Sequence, residues 1–227
     1  MEPEWLDDLP ADDPRAIRSR RDLRLVNRIM GHAAIIAPVL RDRVSRAGAR
    51  IAEVGAGDGT LLARIAAGAP WARGAEIVLV DRQPVVSSQT GQRYQENGCH
   101  LTIDAADVFD WLTRCAERYD AIVANLFLHH FEASQLAKLF HLASARTRLL
   151  VACEPRRARM PLAGSRLLGL IGCNEVTRHD AVLSVRAGFS GNELSALWPA
   201  GDEWTLEERS AGFSSHLFVA RRSHASE

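Results

Sequence analysis

The stretch Ile51-Ala52-Glu53-Val54-Gly55-Ala56-Gly57-Asp58-Gly59-Thr60 joins a short apolar run to an acid and three alternating glycines. This order reads as a buried strand turning into a helix. Glycine at Gly55, Gly57 and Gly59 removes side chains that would block a ligand and permits positive φ in the turn, so the loop can meet a ligand with main chain.

Spacing separates two readings of that loop. The dinucleotide fingerprint places glycines at its first, third and sixth positions. Counted from Gly55, the sixth position is Thr60, and the last glycine falls at Gly59. The pattern is therefore Glu-x-Gly-x-Gly-x-Gly. Further along, Glu76 to Asp81 is a second β-branched run with an acid at its carboxyl end, where an acid can accept from both hydroxyls of a ribose. A third run, Cys99 to Ile103, leads to Asp104 and Asp107, the latter placed to accept from an adenine amino group. A fourth, Tyr119 to Asn125, leads into Leu126-Phe127-Leu128-His129-His130-Phe131. Each set follows a strand at its carboxyl end, where open α/β sheets bind ligands. Each acid also has a structural reading, as a turn residue at Asp81 or Asp104 and as a helix cap at Asp107.

Together these residues, spanning about Arg50 to Pro155, resemble the class I methyltransferases that use S-adenosylmethionine (SAM). Within that class Asn125 to Phe131 resembles small-molecule enzymes, including those acting on quinones and related aromatics. The resemblance implies an α/β fold: a single Rossmann-like domain over 48–227, preceded by a helical cap over 1–47. Its mostly parallel seven-stranded sheet would be closed by an antiparallel C-terminal hairpin, with helices on both faces. SAM is the implied cofactor and S-adenosylhomocysteine (SAH) the implied product. The implied cofactor-binding residues are Glu53, Gly55, Ala56, Gly57, Gly59, Asp81, Arg82, Asp107, Val108 and Asn125. Among them Gly55 and Gly57 lie beside the methionine part, Asp81 on the ribose, Asp107 with Val108 at the adenine, and the Asn125 backbone near the amino acid end.

Punctuation organises the rest of the chain. Asp13-Pro14 reads as a capped helix start. Beyond it Val26, Ile29, Met30 and Ala33 share one face, with Arg20, Arg21, Arg24 and Arg28 on a solvated face opposite. Gly31 and Pro38 are expected to break this region. Leu136, Leu139, Phe140 and Ala143 predict a helix, and Thr147 to Ala152 a fifth strand. Helical stretches are expected at Leu167 to Ile171 and Gly191 to Trp198, around a polar segment from Thr177 to Asp180 that can fold over the cleft. Trp204 to Glu208 and Ser215 to Ala220, around Ser210-Ala211-Gly212, predict an antiparallel pair. That hairpin distinguishes a methyltransferase sheet from a dinucleotide-binding one.

The sulfonium is already activated, so the protein's task is to align the acceptor, exclude water and remove a proton where the acceptor carries one. His129 and His130, after the fourth strand, are the first candidates for base or acceptor-orienting group, and His179 beside Asp180 is the second. Arg156, Arg157 and Arg159 are either a grip for an acceptor carboxylate or phosphate, or a solvated loop. No metal is expected, since Asp104, Asp107 and the end of the fourth strand do not assemble an oxygen-ligand set.

Composition bounds the alternatives. With 227 residues, 47% of them hydrophobic, the chain can bury the core of one domain. Basic and acidic residues balance at 28 each, which advertises neither nucleic acid nor membrane as partner. Leu126-Phe127 stands where amino-directed DNA methyltransferases carry two prolines. Cys99, Cys115, Cys153 and Cys173 lack metal-ligand spacing and read as small buried residues. The acidic start, Met1 to Trp5, lacks the order of a signal peptide, and no apolar run approaches a membrane span, so a cytoplasmic monomer or homodimer is expected. The leading reading is methyl transfer from SAM to a small acceptor, chiefly to the oxygen of a hydroxylated aromatic, quinone-like or polyketide compound. A non-catalytic SAM-binding regulator and a nicotinamide-dependent oxidoreductase are the alternatives.

Overall fold

The structure, a computed structural model, describes residues 4–10, 12–44, 47–166 and 168–223. Its strands are β1 (Arg50–Val54), β2 (Glu76–Asp81), β3 (His100–Ala105), β4 (Ala121–Asn125), β5 (Leu149–Pro155), β6 (Trp204–Ala211) and β7 (Ser215–Arg222). They form one sheet in the order β3-β2-β1-β4-β5-β7-β6. The first five run parallel, with Val54 opposite both Val80 and Ala124, while β7 is antiparallel to β5 and β6. The closing hairpin expected from the sequence is thus present.

Central strands apolar at nearly every position are suited to a sheet covered on both faces. Ile51, Ile77, Leu79, Val123, Val151 and Leu217 pack on one side with Ile36, Leu40, Leu62, Trp71 and Tyr94. Ala52, Val54, Val80, Ile122, Leu150 and Phe218 pack on the other with Trp111, Leu139, Phe140 and Trp198. The alternation places two acids at opposite faces: Glu53 on the side of Ile51, Glu154 on the side of Leu150 and Ala152.

Helices α1 (Trp5–Asp8), α2 (Pro14–Met30) and α3 (His32–Arg43) precede the sheet. Helices α4 (Thr60–Ala66), α5 (Ser88–Glu96), α6 (Val108–Arg114) and α7 (Ala133–Arg146) alternate with its strands, and α8 (Arg159–Arg166) and α9 (Glu175–Ala187) lie between β5 and β6. Their ends are chemically marked. Asp13 accepts from the Arg15 N–H, with Pro14 at the first position of α2, and Gly31 ends that helix at φ 71°. Ser87 and Asn174 cap α5 and α9 through their side chains.

Several expectations are corrected. Pro38 lies inside α3 without ending it; it withholds one donor from the carbonyl of Ala34, which sits on an exposed turn. The expected apolar face of α2 is only partly buried: Val26, Met30 and Ala33 are half-buried, Ile29 is 64% exposed, and the fully buried residues of α2 are Ala16 and Ser19. Of the arginines expected on the solvated face, Arg21, Arg24 and Arg28 are exposed and Arg20 is half-buried. Between Gly191 and Trp198 only a 3-10 turn, Ser195–Leu197, forms, and Leu168–Ile171 is likewise 3-10; Leu167 lies outside the described residues. The polar segment Thr177 to Asp180 belongs to α9. The fifth strand extends through Glu154 and Pro155, and Asp104 lies within β3, paired with Arg114 at 2.5 Å. All four cysteines are buried and unpaired. Among the described residues no single helix is long and apolar enough to cross a membrane.

Candidate active site

A cavity of about 860 Å³ opens at the carboxyl ends of β1, β2 and β4, where the strand order reverses. That volume falls within the range of roughly 300–1,000 Å³ typical of ligand sites. Every expected cofactor-binding residue except Gly59 lines it: Glu53, Gly55, Ala56, Gly57, Asp81, Arg82, Asp107, Val108 and Asn125. His129, His130, Phe127 and Phe131 complete one wall, while Glu4, Arg20, Arg24, Leu183 and Ser184 close it from α1, α2 and α9.

The three glycines all have positive φ but differ in surroundings. A Cβ on Gly55 would strike the Phe127 ring at 2.2 Å, and one on Gly59 would meet Leu79 Cδ1 at 2.4 Å. Gly59 therefore packs against the core, and its carbonyl accepts from Tyr94 Oη at 2.8 Å. A Cβ on Gly57 would meet nothing within 4 Å. Gly59→Ala is expected to cost about 1–3 kcal/mol of stability through overpacking. Gly57→Ala should cost less stability and more cofactor affinity, because its methyl group enters the cavity. Urea unfolding beside SAH calorimetry separates the two; equal stability losses would contradict the assignment.

Asp81 holds the loop from the neighbouring strand. Its Oδ2 accepts from the Gly57 N–H and its Oδ1 from the Gln83 N–H, each at 2.8 Å. Asp58 at the loop tip pairs with Arg24 of α2 at 2.9 Å, which ties the N-terminal helix to the glycine turn. Asp107 Oδ1 accepts from the Phe109 N–H at 2.8 Å, so it caps α6 while lining the cavity.

Glu53 is 3% exposed, and its Oε2 has no hydrogen-bond partner among the described residues. Burial, reinforced by the charges of Asp58 and Asp81, pushes its pKa up to about 8. An unpartnered buried carboxyl beside two further acids suits a cationic ligand group, as the ammonium and sulfonium of SAM require. Asn125 Oδ1 is also buried without a partner at the same strand ends. These residues fit the cofactor.

The opposite wall is organised by Glu154, which is fully buried. Its Oε1 accepts from the N–H groups of Phe127 (3.1 Å) and Leu128 (2.9 Å), and its Oε2 lies 2.7 Å from His129 Nδ1. Leu126, just before them, adopts φ 51°, a left-handed conformation costing about 1–3 kcal/mol in a non-glycine residue. The Glu154 hydrogen bonds hold that turn. Glu4 Oε1 stands 3.5 Å from the other ring nitrogen of His129. Burial alone would lower the His129 pKa, but its contacts with Glu154 and Glu4, and their charges, outweigh this and push it up to about 9. His129 thus carries a proton at neutral pH and is no general base in this state. Both carboxylates are held below their ordinary range, because the histidine contact and charge outweigh the effect of burial.

His179 is not brought to the cavity. Its ring stacks on Trp5 at 3.9 Å, and its Nδ1 lies 3.0 Å from Asp180 Oδ1. Asp180 in turn accepts from the N–H groups of Trp5 and Leu6, so this pair fastens α1 over the site. Arg157 pairs with Glu193 and donates to Gly188 O, and neither it, Arg156 nor Arg159 lines the cavity. Glu4, Glu154, Arg20 and Arg24 are the site residues that sequence reasoning missed. Glu154 carried one signal, an acid at the carboxyl end of a strand.

Comparison with known proteins agrees with this arrangement. Residues 51–148 match a family described as a methyltransferase domain. An O-methyltransferase family protein from Burkholderia thailandensis superposes with a TM-score of 0.65 at 16% identity, over 95% of this chain and 62% of its own. Magnesium protoporphyrin IX methyltransferase from Synechocystis PCC 6803, with bound SAH, gives 0.56 at 15% identity, over 89% and 86%. The plantazolicin methyltransferase, in complex with a triazolic desmethylPZN analogue and SAH, gives 0.65 at 11% identity, over 95% and 92%. The chain thus spans less than two thirds of the Burkholderia protein. No curated protein matches it in sequence. Residues 51–148 thus match a methyltransferase-domain family in sequence, and the chain shares the class I, Rossmann-like fold of these solved structures.

Proposed function

We propose that the protein transfers the methyl group of SAM to a small organic acceptor, at the oxygen of a hydroxylated aromatic, quinone-like or polyketide compound. The observation that carries this reading is the single cavity shared by the glycine loop with its acids and by the Phe127, His129, His130, Phe131 wall. Cofactor and acceptor would lie in one space, closed by α1 and α2.

In this reading Glu53 pairs with the ammonium, the backbone of Gly55, Ala56 and Gly57 meets the methionine part, Asp81 accepts from the ribose hydroxyls, and Arg82 stands at the rim. Asp107 and Val108 take the adenine, and the Asn125 backbone the amino acid end. Bound SAM supplies an activated methyl group on sulfur. The aromatic wall and the N-terminal helices exclude water and orient the acceptor. His130 is the histidine left as candidate base, with His129 as a proton-bearing orienting group.

Titration with SAH by calorimetry, with Asp81→Ala and nicotinamide dinucleotide alongside, tests the cofactor assignment. Loss of charge-assisted hydrogen bonds of about 1.5–3 kcal/mol should weaken SAH binding by about 10- to 150-fold in Asp81→Ala, with no binding of the dinucleotide. Unchanged affinity in a folded variant would displace the ribose site. A panel of phenolic and enolic acceptors, assayed for SAH release, then tests the acceptor class.

A further inference from the structure

We propose that Glu4, His129 and His130 form a binding site for a divalent first-row transition cation of the zinc type, at the acceptor wall of the cavity. One carboxylate oxygen and one nitrogen from each ring lie within 4.8 Å of one another. All three residues line the cavity.

Three observations carry the site. His129 Nε2 is buried, has no hydrogen-bond partner among the described residues, and faces Glu4 Oε1 at 3.5 Å. Bonds of about 2.0–2.1 Å to a tetrahedral centre set neighbouring ligand atoms roughly 3.4 Å apart, so this edge already has the required length. The opposite ring nitrogen, Nδ1, is fixed by Glu154 at 2.7 Å, and Glu154 is itself held by two backbone N–H groups. A carboxylate on the far side of a ligating histidine orients the ring and raises its basicity. Glu4, finally, is not a loose terminal side chain. It accepts from Ser184 Oγ, and the next two backbone N–H groups are fastened to Asp180.

Charge agrees with geometry. Glu4 and Glu154 bring two negative charges into a largely buried cluster; a divalent cation at His129 Nε2 would displace the proton of that ring and meet the same two charges. Two imidazoles and a carboxylate form a ligand set of the open zinc type, with a fourth position left for water or substrate. Because all three ligand residues line the cavity, that position would open onto it. On the methyl-transfer reading, on which this last step rests, it would take an acceptor oxygen and lower the pKa of its hydroxyl, so that the proton leaves to solvent and His129 and His130 serve as ligands in place of proton carrier and base. Sequence reasoning looked for oxygen ligands near Asp104 and Asp107 and expected no metal; Glu4 comes from the other end of the chain.

The test uses tag-free, chelator-treated protein titrated with Co2+ and followed by visible absorption, with Zn2+ calorimetry in parallel. One cation per chain at micromolar affinity or tighter is expected, with the intense d–d bands of a four-coordinate site. Because His129→Ala risks the packing around it, His130→Ala and Glu4→Gln are the ligand variants, each expected to weaken binding at least 10-fold. Glu154→Gln should weaken it about 10- to 100-fold. SAH binding, measured on the same samples, reports the cofactor half of the cavity separately. A dissociation constant above 1 mM, six-coordinate spectra, or affinity unchanged in both ligand variants would overturn the site.

Discussion

Replacing Glu154 by alanine is expected to lower the unfolding free energy by about 3–5 kcal/mol, the cost of breaking a buried ion pair from one side. The side chain is fully buried, and all of its polar capacity is used at one place: two N–H groups of the turn after β4, and His129. Alanine leaves both amides and the Nδ1 side of the imidazolium without their partner at a buried position. Against a typical total of roughly 5–15 kcal/mol this is a large fraction. For a chain of this length it corresponds to a melting temperature lower by about 6–20 °C. Glu154→Gln keeps an oxygen for the amides but loses the charge facing His129, so an intermediate loss is expected. Urea unfolding with an unchanged m-value would show the difference as stability rather than altered compactness. A loss below about 1 kcal/mol in Glu154→Ala would mean that the Leu126 to Phe131 turn holds itself, and that Leu126 at positive φ needs no external support.

What the sequence shows and what it hides follow from how far each signal reaches along the chain. The glycine loop, Asp81 and the alternating strands are local patterns, and each found its place at the carboxyl edge of the sheet. Gly57 and Gly59 look alike in sequence, since both serve positive φ; only the neighbours of the missing Cβ, open space for one and Leu79 for the other, tell them apart. Asp107 is legible twice, as a cavity residue and as the cap of α6, and the structure contains both. Glu154 and His129 meet because β4 and β5 pair in parallel, with Asn125 opposite Cys153, a register no local pattern prints. Helical periodicity separates the faces of α2 but does not say which face meets the sheet. Val26 and Met30 are half-buried while Arg24 stays exposed, yet Arg24 still reaches Asp58 at the loop tip, a pairing that no periodicity prints. His179 next to Asp180 had the composition of a catalytic pair, yet the two serve the N-terminal segment instead.

Glu53→Gln should stabilise the ligand-free protein at alkaline pH and weaken its grip on SAH. The carboxyl is held at about 8 in the folded chain against 4.5 for the ordinary group, chiefly by burial and then by Asp58 and Asp81. Between those values the folded state binds a proton that the unfolded state has lost, so stability falls as pH rises from 4.5 to 8 and is level beyond. Glutamine removes this slope. The difference between variant and wild type is expected to be about 1 kcal/mol at pH 5 and to reach about 3–5 kcal/mol in favour of the variant at pH 8. Comparing the two proteins isolates Glu53, because His32, pushed down to about 4 by burial, adds the opposite slope below pH 6.5 to both. Binding has a matching signature. An ammonium brought to Glu53 Oε2 favours the carboxylate, so SAH should release a proton from the wild type at pH 7. Its binding enthalpy should then vary with the ionisation enthalpy of the buffer, and in Glu53→Gln that dependence should be lost along with at least 10-fold in affinity. A stability difference independent of pH, or buffer-independent binding by the wild type, would place the ammonium elsewhere and leave Glu53 a buried strand residue. If both signatures appear, the same acid that destabilises the empty fold is the one that binds the cofactor's cation, and the instability of the free protein follows from the chemistry of its site.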